Sequence, residues 1–194
     1  TLDRSSAASD VYKRQPLVNL MVFTATSWVV FTMRDVGHDS LTIGLVSAGF
    51  TVGSLIGAAL TPKVTDTVRS GWIAIVGLAW MATILLVMFT TPTSAVVVFI
   101  LATACMIPST SIGSALFAHV FHRIPSDFQG RTLGIFTFVN GLATVAAPTL
   151  AALAVDHHAS RTLGIGVTAL GAAGIAVLAT SRSIRHLPAL KELG

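Results

Sequence analysis

Long apolar stretches alternate with short polar segments along the chain. Six of these stretches contain no Asp, Glu, Lys, Arg or His, and each is close to the roughly 20 residues that an α-helix needs to cross about 30 Å of hydrocarbon. A charged side chain at the centre of a bilayer costs about 2.5 to 3.5 kcal/mol even on a lenient scale, so charge-free stretches of this length indicate membrane spans. The predicted spans are residues 17–33, 41–60, 72–90, 95–117, 132–154 and 162–180.

The composition is typical of an integral membrane protein. Hydrophobic residues make up 53% of the chain and charged residues only 10%, whereas soluble domains carry about 25% charged residues. The formal net charge is +4, but the basic residues lie in short loops without a basic stripe, so we expect no nucleic-acid partner. We predict an all-α membrane protein with six transmembrane helices.

The first residues differ from all that follows. Residues 5–15 read SSAASDVYKRQ, which resembles the translation of a transposon-type sequencing-library adapter. We therefore expect residues 1–15 to be non-native, with the natural portion starting at Pro16 as a fragment of a longer protein. A short polar lead-in to the first helix is the alternative.

The distribution of basic residues predicts the orientation in the membrane. Residues 61–71, 118–131 and 181–194 carry seven Lys and Arg residues, and the segments on the other side carry only Arg34 and Arg161. Cytoplasmic loops are enriched in Lys and Arg, so both ends of the unit should be cytoplasmic, with residues 181–194 as a basic tail. We expect an integral protein of a bacterial inner membrane.

Small residues and prolines inside the spans predict packing and hinges. Gly49, Gly53 and Gly57 stand four apart, which places them on one helix face where another backbone can approach. Pro108 and Pro148 should each kink a helix and free a carbonyl group, and they are candidate hinges. The short loops predict that consecutive helices are packing neighbours.

Mildly polar side chains within the spans are the candidates for a substrate cavity. Two readings stay open, hydrogen bonding between helices and lining of a wet central cavity. The candidates are Asn19, Phe23, Thr26, Thr110, Ser114, Thr137, Asn140 and Thr144.

The sequence offers little for enzyme chemistry. A nucleophilic Ser114 would need a histidine base at membrane depth, and no histidine lies inside a span. No glycine-rich phosphate loop is present, and the histidines at 119 and 122 and at 157 and 158 do not supply the converging ligands that zinc requires. We expect no catalytic residue, no cofactor and no metal.

Two loops carry family-like motifs. Pro125, Asp127, Gly130 and Arg131 resemble the Pro-x-Asp/Glu-x-x-Gly-Arg loop between helices 10 and 11 of major facilitator superfamily transporters. Residues 62–71, with Asp66 and Arg69 retained, are similar to the degenerate C-terminal copy of the family's cytoplasmic motif. The resemblance covers residues 16–194 and implies that the spans are helices 7 to 12, one half-bundle of the family fold.

That resemblance implies secondary transport of small molecules by alternating access, with helices 7, 8, 10 and 11 around the substrate. The Gln-Gly-Arg form of residues 129–131 is most similar to drug or macrolide exporters. The expected partner is the missing N-terminal six-helix half, against which the glycine face of the second span would pack. The alternative is a self-contained six-helix scaffold or channel-like subunit that acts as a homodimer.

Overall fold

The computed structural model describes residues 2–90, 94–123, 126–157 and 160–180, and it is helical almost throughout. This confirms the all-α prediction. The predicted tail at 181–194 lies outside the described residues. The helices are α1 (Leu2–Asp35), α2 (Ser40–Thr67), α3 (Ser70–Thr90), α4 (Ala95–Arg123), α5 (Ser126–Asp156) and α6 (Ser160–Thr180).

Four segments of the described residues are long and apolar enough to cross a membrane. α6 contributes a shorter apolar segment, Thr162–Ala173. The four candidate spans are Ser40–Thr67, Ser70–Thr90, Ala95–Ala115 and Phe128–Asp156.

The helices extend beyond the apolar stretches that predict the membrane spans. α1 begins at Leu2 rather than at residue 17, α2 runs through Pro62 to Thr67, and α5 begins at Ser126 rather than at residue 132. An apolar stretch indicates which part of a helix lies in the hydrocarbon, not where the helix ends. A helix that is already formed gains one hydrogen bond for each residue it adds, so it can continue past the last apolar residue.

The turn between α1 and α2 shows how one helix ends and the next begins. Gly37 has a φ angle of 92°, a conformation that residues with a Cβ rarely adopt. Asp39 then caps α2, because its carboxylate accepts a hydrogen bond of 3.3 Å from the Thr42 amide. Hydrogen bonding from Thr42 lowers the pKa of the Asp39 carboxyl below its ordinary value.

Two of the main packing pairs, α2 with α4 and α1 with α5, are not consecutive helices, contrary to the expectation from the short loops. α2 packs chiefly on α4 and α1 on α5, while α3 packs on α4 and α6. The six helices can be divided into two units, α1 to α3 and α4 to α6, whose members correspond in order. The contact of α1 with α5 in this division corresponds to the contact of α4 with α2. The arrangement therefore has the pairing of two interleaved three-helix repeats.

The glycines of α2 face α4. A Cβ on Gly49 would lie 2.8 Å from the Phe99 carbonyl oxygen, and a Cβ on Gly53 would overlap the carbonyl of Thr103. A Cβ on Gly57 would overlap the carbonyl of Ile107 in the same way. The expectation that this face packs against another half of the protein is therefore wrong, because α4 already covers it.

The equivalent contact of α5 is made by alanines. Ala143, Ala147, Ala151 and Ala154 are the buried residues of α5 within the described part of the chain. Because α5 packs mainly on α1, this stripe of small side chains faces α1. Both long helix pairs thus depend on close approach of one helix to the backbone of the other.

We predict that Gly53→Ala destabilises the bundle and that Gly44→Ala does not. The new methyl group at position 53 would collide with the backbone of α4, and overpacking of this kind costs about 1 to 3 kcal/mol. Gly44 lies on the same helix with nothing within 4 Å of its added Cβ. Thermal unfolding of the two purified variants, followed by circular dichroism, checks this. Equal midpoints would contradict the close approach of α2 and α4.

Candidate functional site

α1 has a buried face and a polar face. Met21, Ala25 and Val29 are buried in the core. Asn19, Phe23 and Thr26 are half-buried and follow the i, i+4, i+7 spacing of a separate helix face. The predicted polar positions of α1 therefore lie on the side that does not enter the core.

A hydrogen bond between two asparagines joins α1 to α5. The Nδ2 group of Asn19 donates to Oδ1 of Asn140 over 2.6 Å, and both side chains are half-buried. An amide offers two donors and one carbonyl acceptor. One shared bond therefore leaves the Asn19 carbonyl and the Asn140 amide group available to a further partner.

The polar face of α5 continues from this pair. Thr137, Gly141, Thr144 and Pro148 are exposed at i, i+4, i+7 and i+11, beside the alanine stripe. The Thr144 hydroxyl donates to the Asn140 carbonyl over 3.0 Å. Pro148 has no amide hydrogen, so the Thr144 carbonyl loses its helical partner and becomes an additional acceptor on the exposed face.

The predicted positions on α4 divide between two environments. The Thr110 hydroxyl is half-buried and donates to the Ser54 carbonyl of α2 over 3.5 Å. A Cβ on Gly57 would also come within 2.5 Å of that hydroxyl oxygen. Thr110 therefore belongs to the contact between α2 and α4, whereas Ser114 is exposed.

Pro108 frees a carbonyl that a side chain of α3 then binds. Proline at position 108 cannot donate to the carbonyl of Ala104, four residues before it. The indole Nε1 of Trp80 donates to this oxygen over 2.8 Å. The kink predicted at Pro108 is thus connected to α3 by a hydrogen bond that no motif in the sequence indicated.

The loop motifs lie at helix ends. Asp66 and Arg69 are exposed at and just after the end of α2, and Gly130 and Arg131 are exposed early in α5. Pro125 lies outside the described residues, as does the side chain of Asp127. Within the described part of the chain, no three His, Cys, Asp or Glu side chains are placed to hold a metal ion.

Two apolar grooves lie between helices of the bundle. A groove of about 550 Å³ is bounded by α1, α5 and α6, with Thr24 and His157 in its lining. A second groove of about 400 Å³ is bounded by α4, α2 and α3, with Trp72 and Trp80 in its lining. The two grooves are equivalent in the two three-helix units, because α1, α5 and α6 correspond to α4, α2 and α3.

Comparison with protein families decides the class of the protein. A family model described as Major Facilitator Superfamily matches residues 17–192. The chain belongs to the major facilitator superfamily. Members of this superfamily are membrane transporters of small molecules and not enzymes, and the apolar helices agree that the chain is an integral membrane protein. Searches of curated proteins and of solved structures gave no match to this superfamily member.

We predict that Asn19→Leu and Asn140→Leu are coupled. Each single change leaves the other amide without its partner, so the double variant should lose less stability than the sum of the single losses. Hydrogen bonds between membrane helices contribute about 0.6 kcal/mol on average and up to about 1.7 kcal/mol. Thermal unfolding of the three variants measures the coupling, and strictly additive losses would contradict the bond.

We predict that the effect of Trp80→Phe depends on Pro108. Loss of the indole donor leaves the Ala104 carbonyl unpaired, which should cost about 1 to 3 kcal/mol. Pro108→Ala restores a helical amide to that carbonyl, so Trp80→Phe should cost much less in the Pro108→Ala background. Circular dichroism melts of the four proteins test this. Equal costs in both backgrounds would show that Trp80 stabilises the bundle by packing alone.

Proposed function

We propose that residues 16–194 form one six-helix half, helices 7 to 12, of a secondary transporter that exports small amphipathic molecules by alternating access. The observation that carries the proposal is the family match across residues 17–192, which runs through all six helices. The correspondence of helix contacts between the two three-helix units supports it, because a superfamily half is built from two three-helix repeats.

The polar faces of α1 and α5 supply the proposed wall of the substrate cavity. They meet at the Asn19–Asn140 hydrogen bond, and the freed carbonyl of Thr144 lies about one helical turn further along α5. All of these groups are neutral, and no predicted span contains a charged residue. The wall therefore suits a substrate with an apolar body and neutral hydrogen-bonding groups.

Two prolines supply the proposed flexibility for alternating access. Pro148 lies on the exposed face of α5, four residues after Thr144. Pro108 lies in α4, where its freed carbonyl is held by Trp80. Each proline removes one helical hydrogen bond, so bending at that point does not require another bond to break.

We propose that both ends of this unit face the cytoplasm of a bacterial inner membrane. The support is the excess of basic residues in the segments on one side of the predicted spans. The exporter assignment is supported by the Gln-Gly-Arg form of residues 129–131, which resembles the drug or macrolide branch.

We predict that cells expressing the complete protein, including its upstream half, accumulate less Nile red than cells without it. Nile red is an uncharged amphipathic dye, so it matches the neutral wall. Steady-state fluorescence of energised, efflux-deficient cells measures accumulation, and a protonophore should remove the difference.

A matched pair of variants connects transport to the proposed wall. Thr144→Val changes a hydroxyl on the polar face of α5, and Thr83→Val makes the same change on α3. Both threonines are exposed, and each donates to the carbonyl four residues earlier. We expect Thr144→Val to reduce export severalfold and Thr83→Val to leave it unchanged. Unchanged dye levels in cells with the complete protein, or export by the six-helix chain alone, would contradict the proposal.

A further inference from the structure

The groove of about 400 Å³ between α2, α3 and α4 has features of a binding site that differs from the proposed substrate wall. Its lining is almost entirely apolar, and it lies on helices other than those that carry the asparagine pair. Residues along it include Leu60, Val64, Trp72, Val76, Trp80 and Pro108.

Two indole rings of the groove remain open to the surroundings of the bundle. Trp72 is 48% exposed and Trp80 is 50% exposed. The Trp80 N–H group is already bound to the Ala104 carbonyl, so the ring presents an apolar surface. Trp72 lies in the first turn of α3, and tryptophan is enriched where membrane helices meet the lipid head groups.

The mouth of the groove carries basic side chains. Lys63 follows Leu60 by three positions and so lies on the side of α2 that lines the groove. Arg69 lies in the turn between Val68 and α3, and both basic residues are exposed. Asp66 is also exposed and lies three positions from both Lys63 and Arg69, so this end of the groove has two cations and one carboxylate.

The groove thus combines an apolar channel, an interfacial tryptophan and a positive mouth. We propose that it binds one acyl chain of an anionic phospholipid, with the lipid phosphate held at Lys63 and Arg69. Long basic side chains can lie along an apolar surface and place their charge at the head-group level. A zwitterionic lipid would fill the same channel but gain less from the two cations.

The related groove between α1, α5 and α6 offers an internal contrast. It is also apolar, but its described lining contains His157 and no tryptophan, and the exposed Asp156 lies beside that histidine. Asp156 lines a neighbouring pocket with Asp35 and Arg34, so among the described residues two carboxylates face one cation there, which disfavours a lipid phosphate. We therefore assign the lipid to the groove between α2, α3 and α4, whether or not the chain transports the proposed substrates.

Quenching of tryptophan by brominated lipid tests this site directly. The protein is placed in phosphatidylcholine nanodiscs that contain the same mole fraction of dibrominated phosphatidylglycerol or dibrominated phosphatidylcholine. Any signal that persists in Trp72→Phe/Trp80→Phe/Pro108→Ala is subtracted, which removes the contribution of buried Trp28. Pro108→Ala keeps the Ala104 carbonyl paired in that reference protein.

We predict that half-maximal quenching requires at least about fivefold less of the anionic lipid than of the zwitterionic lipid, since one Lys or Arg near an anionic surface contributes about that factor. Lys63→Gln/Arg69→Gln should remove the preference and leave quenching by brominated phosphatidylcholine unchanged. Arg131→Gln, which removes a basic charge from α5, should keep the preference.

A second variant tests the channel itself. Val76 is 59% exposed in the lining, and Val76→Phe should fill the channel and reduce quenching by both lipids. Equal quenching by the two lipids in the parent protein, or a preference that survives Lys63→Gln/Arg69→Gln, would overturn the proposal. Protection of both tryptophans from both lipids would also overturn it, because protein would then cover the groove.

Discussion

The close approach of α2 to the backbone of α4 determines how the other helices are arranged. Gly53 and Gly57 leave no room for a methyl group between the two helices. At the end of the same contact, the hydroxyl groups of Thr61 and Ser111 are 2.9 Å apart. Lipid tails are as apolar as the helix surfaces, so the hydrophobic effect does not drive the helices together. Close packing and hydrogen bonding must stabilise the bundle instead. The alanine stripe of α5 gives α1 the equivalent contact.

This packing explains where polar groups can be exposed. α1 and α5 bury their small and apolar faces, and their polar faces remain half-buried on α1 and mostly exposed on α5. The asparagine pair lies where these faces meet, so it joins two helices and also retains unused hydrogen-bonding groups. The structure shows the interhelical bond, and the unused groups of the same pair are those that the proposed cavity lining requires.

The sequence predicted the helical class, the polar faces and the glycine contact because each depends on spacing within one helix. It could not show that Asn19 meets Asn140, since these residues are 121 positions apart and only the bundle brings them together. It also could not assign α4 as the partner of the glycine face, because the glycines show close approach but not which helix approaches. The hydrogen bond from Trp80 to the Ala104 carbonyl depends on which face of α3 is turned towards α4. The sequence of α3 is almost uniformly apolar, so it does not show which face that is.

Contacts from Gly49 with Phe99 to Thr61 with Ser111 advance in the same direction along both helices, so α2 and α4 are parallel. Disulfide cross-linking in intact membranes tests this register most directly. The buried Cys105 would first be replaced by alanine, and Thr61→Cys/Ser111→Cys would be compared with Thr61→Cys/Gly113→Cys. Positions 111 and 113 point to different sides of α4. With α2 packed on α4 in this register, we expect efficient formation of the first disulfide under mild oxidation, detected as a linked peptide by mass spectrometry, and little of the second. Equal yields, or a higher yield of the second, would contradict the packing of α2 on α4.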